Sequence, residues 1–448
     1  MPASPSDSRI FAPLFNSPAI AEIFSDEGFV RRLLEVEGAL ARVQGQLGVI
    51  PVGAAEQIAS QAGRLSVDFD GLRSGTERAG LPVIELVFQL RAHLENDAAD
   101  YVHWGATTQD VMDTALVLQI RAALAILEPG LKTLIQPLAH LADGHRHTLM
   151  AGRTHSQQAL PIPFGLKVAG WLAPLIRHCE RLSQLKPRLL VLQFGGAAGT
   201  LAALGKDGIP VRNALAAELD LGILPMPWHT QRDALAELAN WLSLLTGSLG
   251  KMAQDVILLA QSEIAEARES SDVARGGSSA MPQKSNPVVS EFILVAHRMN
   301  ASLLSSMHQA LPQEHERGTY GQMEWLALPQ MFALTGSALE KATWLAENLV
   351  VDAERMRTNV AASRGLMLAE AVSYALAPHI GFAAAKKMVS EAARRATADG
   401  RHMLDILREQ SEAPIDWESL REEANYLGAS ETFIDEVIQS AAQISESP

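Results

Sequence analysis

The most chemically loaded stretch of the chain is Ser278-Ser279-Ala280-Met281-Pro282-Gln283-Lys284-Ser285-Asn286-Pro287. A serine beside a lysine and the N–H groups of a helix that starts at Pro287 can lose its proton and serve as a base. Gly276 and Gly277 just before it supply a hinge. A flexible linker is the other reading, but Met281-Pro282 is an odd choice for one. Residues 270–284 are expected to be mobile without ligand and to order over substrate.

Two more segments combine polar groups and glycine. In Tyr101-Val-His103-Trp-Gly-Ala-Thr107-Thr108-Gln109-Asp110, two threonines sit just before a helix. Hydroxyls and first-turn N–H groups together can hold a carboxylate, or simply cap the helix. In Gly152-Arg153-Thr154-His155-Ser156-Gln157, an arginine can bind a carboxylate and a histidine can shuttle a proton near neutral pH. A lone histidine is otherwise structural. His103, His155, His229 and His315 lack the spacing of metal ligands, so no metal is expected.

Long helices must position these segments. Leu235, Leu238, Leu242, Leu245, Leu249, Met252, Val256 and Leu259 step by three and four, a heptad seam. The pattern predicts a proline-free helix from Arg232 to about Glu269. At the rise of an α-helix it would be roughly 55 Å long. Gly247 and Gly250 would allow a neighbouring helix close approach. Further long helices are expected after Asp110 (bending near Pro129 and Pro137), from about Pro163 to Leu185, from Pro287 to about Ala310, and from Leu328 to Leu349. The flanks read as shorter helices. The expected organisation is all-α with three domains: residues 1–104, a central bundle of five long helices over 105–351, and 352–448.

Composition limits the function classes. The 448-residue chain is 48% hydrophobic, and aromatics make up 5%. The first is enough for a large core, and the second disfavours a β-rich fold. A net charge of −14 argues against a nucleic-acid surface, yet a few Arg and Lys can still focus an anionic substrate in a cleft. The single cysteine, Cys179, excludes an intrachain disulfide. No apolar run suits a membrane span and the N-terminus lacks a signal pattern, so a soluble, cytoplasmic protein is expected.

In their order along the chain, the three segments resemble the fumarase/aspartase superfamily. Its signature Gly-Ser-Ser-x-Met-Pro-x-Lys-x-Asn-Pro is matched by Gly277 to Pro287, its Thr-His-x-Gln-x-Ala by Thr154 to Ala159, and its helix-start motif by Thr107 to Thr114. The resemblance implies a homotetramer whose central bundles form a 20-helix core, with each active site shared between subunits. The seam at 235–259 suits burial in such a core. It implies cofactor-free and metal-free addition or elimination next to a carboxylate on a small polycarboxylate substrate. By this likeness Ser278 is the base, His155 the general acid, and Lys284 and Asn286 stabilise the dianionic intermediate. His103, Thr107, Thr108, Gln109, Arg153, Thr154, Gln157, Ser279, Met281, Arg232 and Arg317 would bind substrate.

Four segments are similar to one branch, the 3-carboxy-cis,cis-muconate cycloisomerases: residues 101–107, Gln193-Phe-Gly-Gly-Ala-Ala-Gly-Thr-Leu, Trp228-His229-Thr-Gln-Arg232-Asp233, and Pro312-Gln-Glu-His315-Glu-Arg317-Gly. That branch closes a lactone in aromatic degradation. Arg153, Arg232, Arg317 and Lys284 would supply the charge that a tricarboxylate needs. Alternatively Arg232 and Arg317 pair with Asp233, Glu314 or Glu316. The sequence departs from the branch at His155, where tryptophan is frequent, and at Gln283, where histidine is common. These departures keep open a C–N lyase releasing fumarate from an aspartate derivative, such as an adenylosuccinate lyase or an amine lyase.

Overall fold

A computed structural model describes residue 5 and residues 8–270, 276–277, 280–281, 284–318 and 321–446. Short helices lead: α1 (Ala12–Phe15), α2 (Pro18–Ile23), α3 (Asp26–Gln46), α4 (Val52–Ala62), α5 (Phe69–Ala79) and α6 (Val83–Ala92). The middle holds α7 (Thr108–Gly144), α8 (Phe164–Leu189), α9 (Gly208–Glu218), α10 (Asp233–Leu259), α11 (Val288–Gln309) and α12 (Gln322–Glu347). The chain ends in α13 (Ala353–Ala361), α14 (Ala369–Ile380), α15 (Phe382–Asp399), α16 (Met403–Gln410), α17 (Trp417–Arg421) and α18 (Ser430–Glu446). The all-α class read from the sequence therefore holds. Among the described residues no helix is long and apolar enough to cross a membrane.

The chain forms two compact units. One comprises Met1–Gly130, His178–Gly247 and Val295–Glu340; the other comprises Leu131–Arg177, Ser248–Leu294 and Lys341–Pro448. The long helices α7, α8, α10, α11 and α12 each contribute residues to both.

In the first unit α3 is the organising element. Ser25 caps it by accepting from the Gly28 N–H at 3.0 Å, and Asp26 and Glu27 favour its positive end. Its long buried face packs on α4 at a glycine. A Cβ on Gly45 would lie 2.4 Å from the Ala55 Cβ, so the two backbones meet only because position 45 has no side chain. The core extends from Leu33, Leu40 and Ile58 to Leu86, Leu118 and Leu215. Polar ties hold the long helices in register within this unit. The Trp241 indole donates to the His178 carbonyl at 3.0 Å, and the Asn300 amide donates to the Thr335 hydroxyl at 2.9 Å. Gly247 packs against the His297 ring of α11, the close approach that the sequence anticipates there.

The heptad seam is buried within the chain itself, every member from Leu235 to Leu259 being 4% exposed or less. This corrects its expected use in contacts between subunits. The helix is also shorter than predicted, at 27 residues. Its length is therefore roughly 40 Å. It stops at Leu259 because the chain turns back, with the Glu266 N–H donating to the Leu259 carbonyl at 2.9 Å. Ala267–Glu269 then forms a strand antiparallel to Leu349–Val351.

In the second unit, the segment 149–163 is a β-hairpin that the sequence analysis did not anticipate. Its strands, β1 (Leu149–Thr154) and β2 (Gln157–Pro163), pair antiparallel with Thr154 opposite Gln157. The two turn residues, His155 and Ser156, have φ of 48° and 63°. Two successive left-handed residues are the mark of a type I′ turn. Ala151 on β1 buries against Val360 and Met367. A separate core of Leu376, Val389, Met403 and Leu407 joins α14, α15 and α16.

Candidate active site

The turn before α7 is held from beneath by α3 and α6. The Gln44 amide donates to the Trp104 carbonyl at 2.7 Å, and the Arg91 guanidinium donates to the Val102 carbonyl at 3.1 Å. His103, with a φ of 64°, places Nδ1 2.5 Å from the buried Glu37 carboxylate. Burial disfavours the imidazolium, but Glu37 outweighs it and holds the His103 pKa above the ordinary imidazole value. At Gly105 a Cβ would lie 2.6 Å from Leu204, and the φ of 74° also calls for glycine. Thr107, Thr108 and Gln109 follow, each half-buried at the start of α7.

Asp110 anchors that turn. Its buried carboxylate accepts from the N–H groups of Gly195 and Gly196 at 2.8 Å each, from the Thr107 N–H at 3.0 Å and from the Gln193 amide at 3.2 Å. His229 Nε2 lies 2.8 Å from the same carboxylate. The Thr114 hydroxyl adds a bond to the Gln193 carbonyl at 2.8 Å. The branch-like segments Gln193-Phe-Gly-Gly and Trp228-His229 thus hold the turn in place. The sequence marked them as characteristic without showing what they do. The neighbours of Asp110 in space lie 85 and 119 residues away in the chain, which no local pattern reveals.

Arg232 is 4% exposed, and both edges of its guanidinium are engaged. It donates to Asp113 at 2.8 and 3.0 Å and to Glu324 at 2.9 and 2.5 Å, and it stacks 4.9 Å from the centre of the Trp228 ring. The ion pairing considered from the sequence occurs, but with Asp113 and Glu324 instead of Asp233, Glu314 or Glu316. Burial pushes the Glu324 pKa up despite the guanidinium. Gln109 donates through Nε2 to Asp113 at 3.1 Å and to the His229 carbonyl at 2.9 Å. Arg317 is exposed and donates to the Ala197 carbonyl at 2.6 Å. A cavity of about 610 Å³ brings together Gln109, Asp113, Arg232, Arg317, Glu324 and Trp325, and so three of the predicted substrate-binding residues.

The second segment lies on the hairpin. Arg153 on β1 makes a two-pronged ion pair with the fully buried Glu266, at 2.7 and 2.6 Å. Asn359 also donates to Glu266 at 2.8 Å. Thr154, His155 and Gln157 are exposed at the tip. Nothing local in the sequence distinguishes Glu266 as a buried glutamate in a polar run.

Of the third segment, Ser278, Ser279, Pro282 and Gln283 lie outside the described residues, as does most of the expected mobile stretch 270–284. Its neck is described. The Asn286 N–H donates to the Gly276 carbonyl at 2.8 Å, and Gly277 pairs with Ser285 across a single antiparallel bridge. At Gly276, with φ of 69°, a Cβ would lie 2.1 Å from the Asn286 carbonyl oxygen, so only glycine fits. Met281 and Lys284 are exposed and Asn286 is half-buried. At the start of α11, Glu269 accepts from the N–H groups of Val289 and Ser290 at 3.2 and 2.7 Å. Among the described residues no group of three or more metal-ligating side chains is assembled.

Comparison with known proteins places this geometry. A family profile described as lyase matches residues 15–299. The chain is 43% identical to a 3-carboxy-cis,cis-muconate cycloisomerase of Pseudomonas aeruginosa over 96% of both proteins. It is 40% identical to trans-aconitate decarboxylase 1 of Mycosarcoma maydis, over 97% of the chain and 89% of that protein. The crystal structure of 3-carboxy-cis,cis-muconate lactonizing enzyme from Pseudomonas putida superposes with a TM-score of 0.93 at 41% identity, covering 98% of this chain and all of the other. With its three motifs intact, the chain belongs to the lyase family and is an enzyme of the fumarase/aspartase superfamily.

Proposed function

We propose that this enzyme closes 3-carboxy-cis,cis-muconate to a carboxymuconolactone in the degradation of aromatic compounds, working as a cytoplasmic homotetramer with shared sites. The observation that carries the reading is the near-full-length similarity to a cycloisomerase of that substrate, combined with the complete signature from Gly277 to Pro287. A substrate carboxylate oxygen bonds to one alkene carbon, the π pair moves to the carbon next to a second carboxylate, and a proton completes that carbon. No atom is lost. Ser278 exchanges the proton on the carbon beside the carboxylate. Lys284 and Asn286 stabilise the dianionic intermediate, because fixed donors strengthen as negative charge develops. His155, on the exposed hairpin tip, relays that same proton between solvent and Ser278. Thr107 and Thr108 at the start of α7, with Arg317, and with Thr154, Gln157, Ser279 and Met281 supplied through the sharing of sites between copies, hold the carboxylates, while Arg153, expected to join them, is tied to Glu266. His103 and Arg232, both paired with buried acids, shape the pocket around them. Exposed apolar side chains on the long helices, Leu258, Val295, Met299 and Leu326, support assembly with further copies.

The test is loss of diene absorbance when the protein meets 3-carboxy-cis,cis-muconate. Turnover that Ser278→Ala lowers by about 10³-fold or more supports the reaction and the base. Inactivity, with fumarate released from an N-substituted aspartate or with decarboxylation of trans-aconitate, would move the enzyme to another branch. His155 is the residue that favours the aspartate-derivative reading, and unchanged turnover in His155→Ala would remove it as a proton donor.

A further inference from the structure

His229 grips the Thr107–Gln109 turn from two sides. Its ring nitrogen Nε2 meets the Asp110 carboxylate at 2.8 Å, and its backbone carbonyl accepts from the Gln109 amide at 2.9 Å. The Trp228 N–H beside it donates to Gln193 Oε1 at 2.6 Å, and Gln193 returns to Asp110. His229 is 4% exposed, and a Cβ on Gly195 would lie 2.8 Å from its Cε1, so this glycine is what leaves room for the imidazole. The Gln109 amide is also constrained chemically. Both partners of its Nε2, the Asp113 carboxylate and the His229 carbonyl, can only accept. The nitrogen must therefore face them, and Oε1 must face the other way.

We propose that His229 and Asp110 are positioning residues for the carboxylate-binding turn, and that Gln109 is held by them as an acceptor in place of a carboxylate donor. This rests on the reading that the turn binds a substrate carboxylate. Binding then falls to the Thr107 and Thr108 hydroxyls and the first-turn N–H groups of α7, aligned through Asp110. Without the His229 ring N–H, the buried Asp110 carboxylate lacks a donor and the 228–229 backbone loses its anchor, so the Gln109 tether shifts with it.

The experiment compares wild type with His229→Leu and His229→Gln, each assayed well below its thermal transition. KM and kcat are measured with 3-carboxy-cis,cis-muconate, and Kd by calorimetry with propane-1,2,3-tricarboxylate. His229→Leu is expected to raise KM and Kd by about 10- to 100-fold, the effect of misplacing a binding group by about 1 Å. His229→Gln, whose amide nitrogen reaches the position of Nε2, is expected to return both to within about threefold of wild type. His229→Asn, whose amide falls short of Asp110, replaces the leucine variant if that one does not fold. Unchanged KM and Kd in the leucine or asparagine variant would overturn the proposal, as would a glutamine variant as impaired as either. A wild type that binds the tricarboxylate in this His229-dependent way but does not turn over the muconate would refute the reaction and leave the positioning role standing. A wild type that binds neither ligand would refute both.

Discussion

The charged residues within each unit are arranged in pairs that differ in what they leave available. Arg232 has one carboxylate on each edge and, on the hairpin, Arg153 shares Glu266 with Asn359, whereas Arg317 reaches only a backbone carbonyl among the bonds described. Burying an arginine without its acids would be costly, so each buried guanidinium comes with them. His103 and Glu37 give a prediction with a definite sign. The folded pKa of His103 lies above the unfolded value. The protonated ring therefore stabilises the fold at pH below about 6.5, and that contribution is lost as pH rises through the folded value. In urea melts, the stability gap between wild type and His103→Gln should be largest at about pH 5.5 and shrink as pH is raised past neutrality. A gap that widened with pH would mean that the ring is neutral when paired.

At the scale of elements, glycines decide where backbones meet. Gly45 on α3 faces Ala55 on α4 with no space between them. Gly45→Ala should cost about 1–3 kcal/mol by overpacking, measured by chemical denaturation. Ala55→Gly in the same chain should recover much of that loss, because the two methyl groups would compete for one volume. Additive losses in the double variant would show that helix propensity, and not the contact, sets the cost. The hairpin works differently. Its turn puts His155 and Ser156 in left-handed conformations that glycine or asparagine would adopt more readily, so the strands on either side and the packing of Ala151 must hold the tip.

For the whole molecule, the proposed tetramer is the claim with the plainest measurement. Sedimentation should give a mass four times that of the 48.2 kDa chain. Leu326 on α12 is 71% exposed. Leu326→Glu should shift the protein toward smaller species with lower activity if sites are shared between copies. A monomer with full turnover would refute the sharing.

The sequence by itself determined the all-α class, the presence of the five long helices, the bounds of α8 and α11 to within a few residues, and the family, because apolar periodicity and contiguous motifs are local properties. Asp110, Gly195 and His229 show the other side. They share one carboxylate, yet no periodicity links residues that far apart in the chain. The 149–163 hairpin was not legible because its mixed, proline-containing strands lack alternation and its His-Ser turn lacks the usual glycine. The tertiary structure alone decided that the 235–259 seam is buried within the chain, that α10 ends at Leu259, and that Arg232 is matched by Asp113 and Glu324. Each of these depends on which distant group fills the space beside a side chain, and only the folded packing sets that.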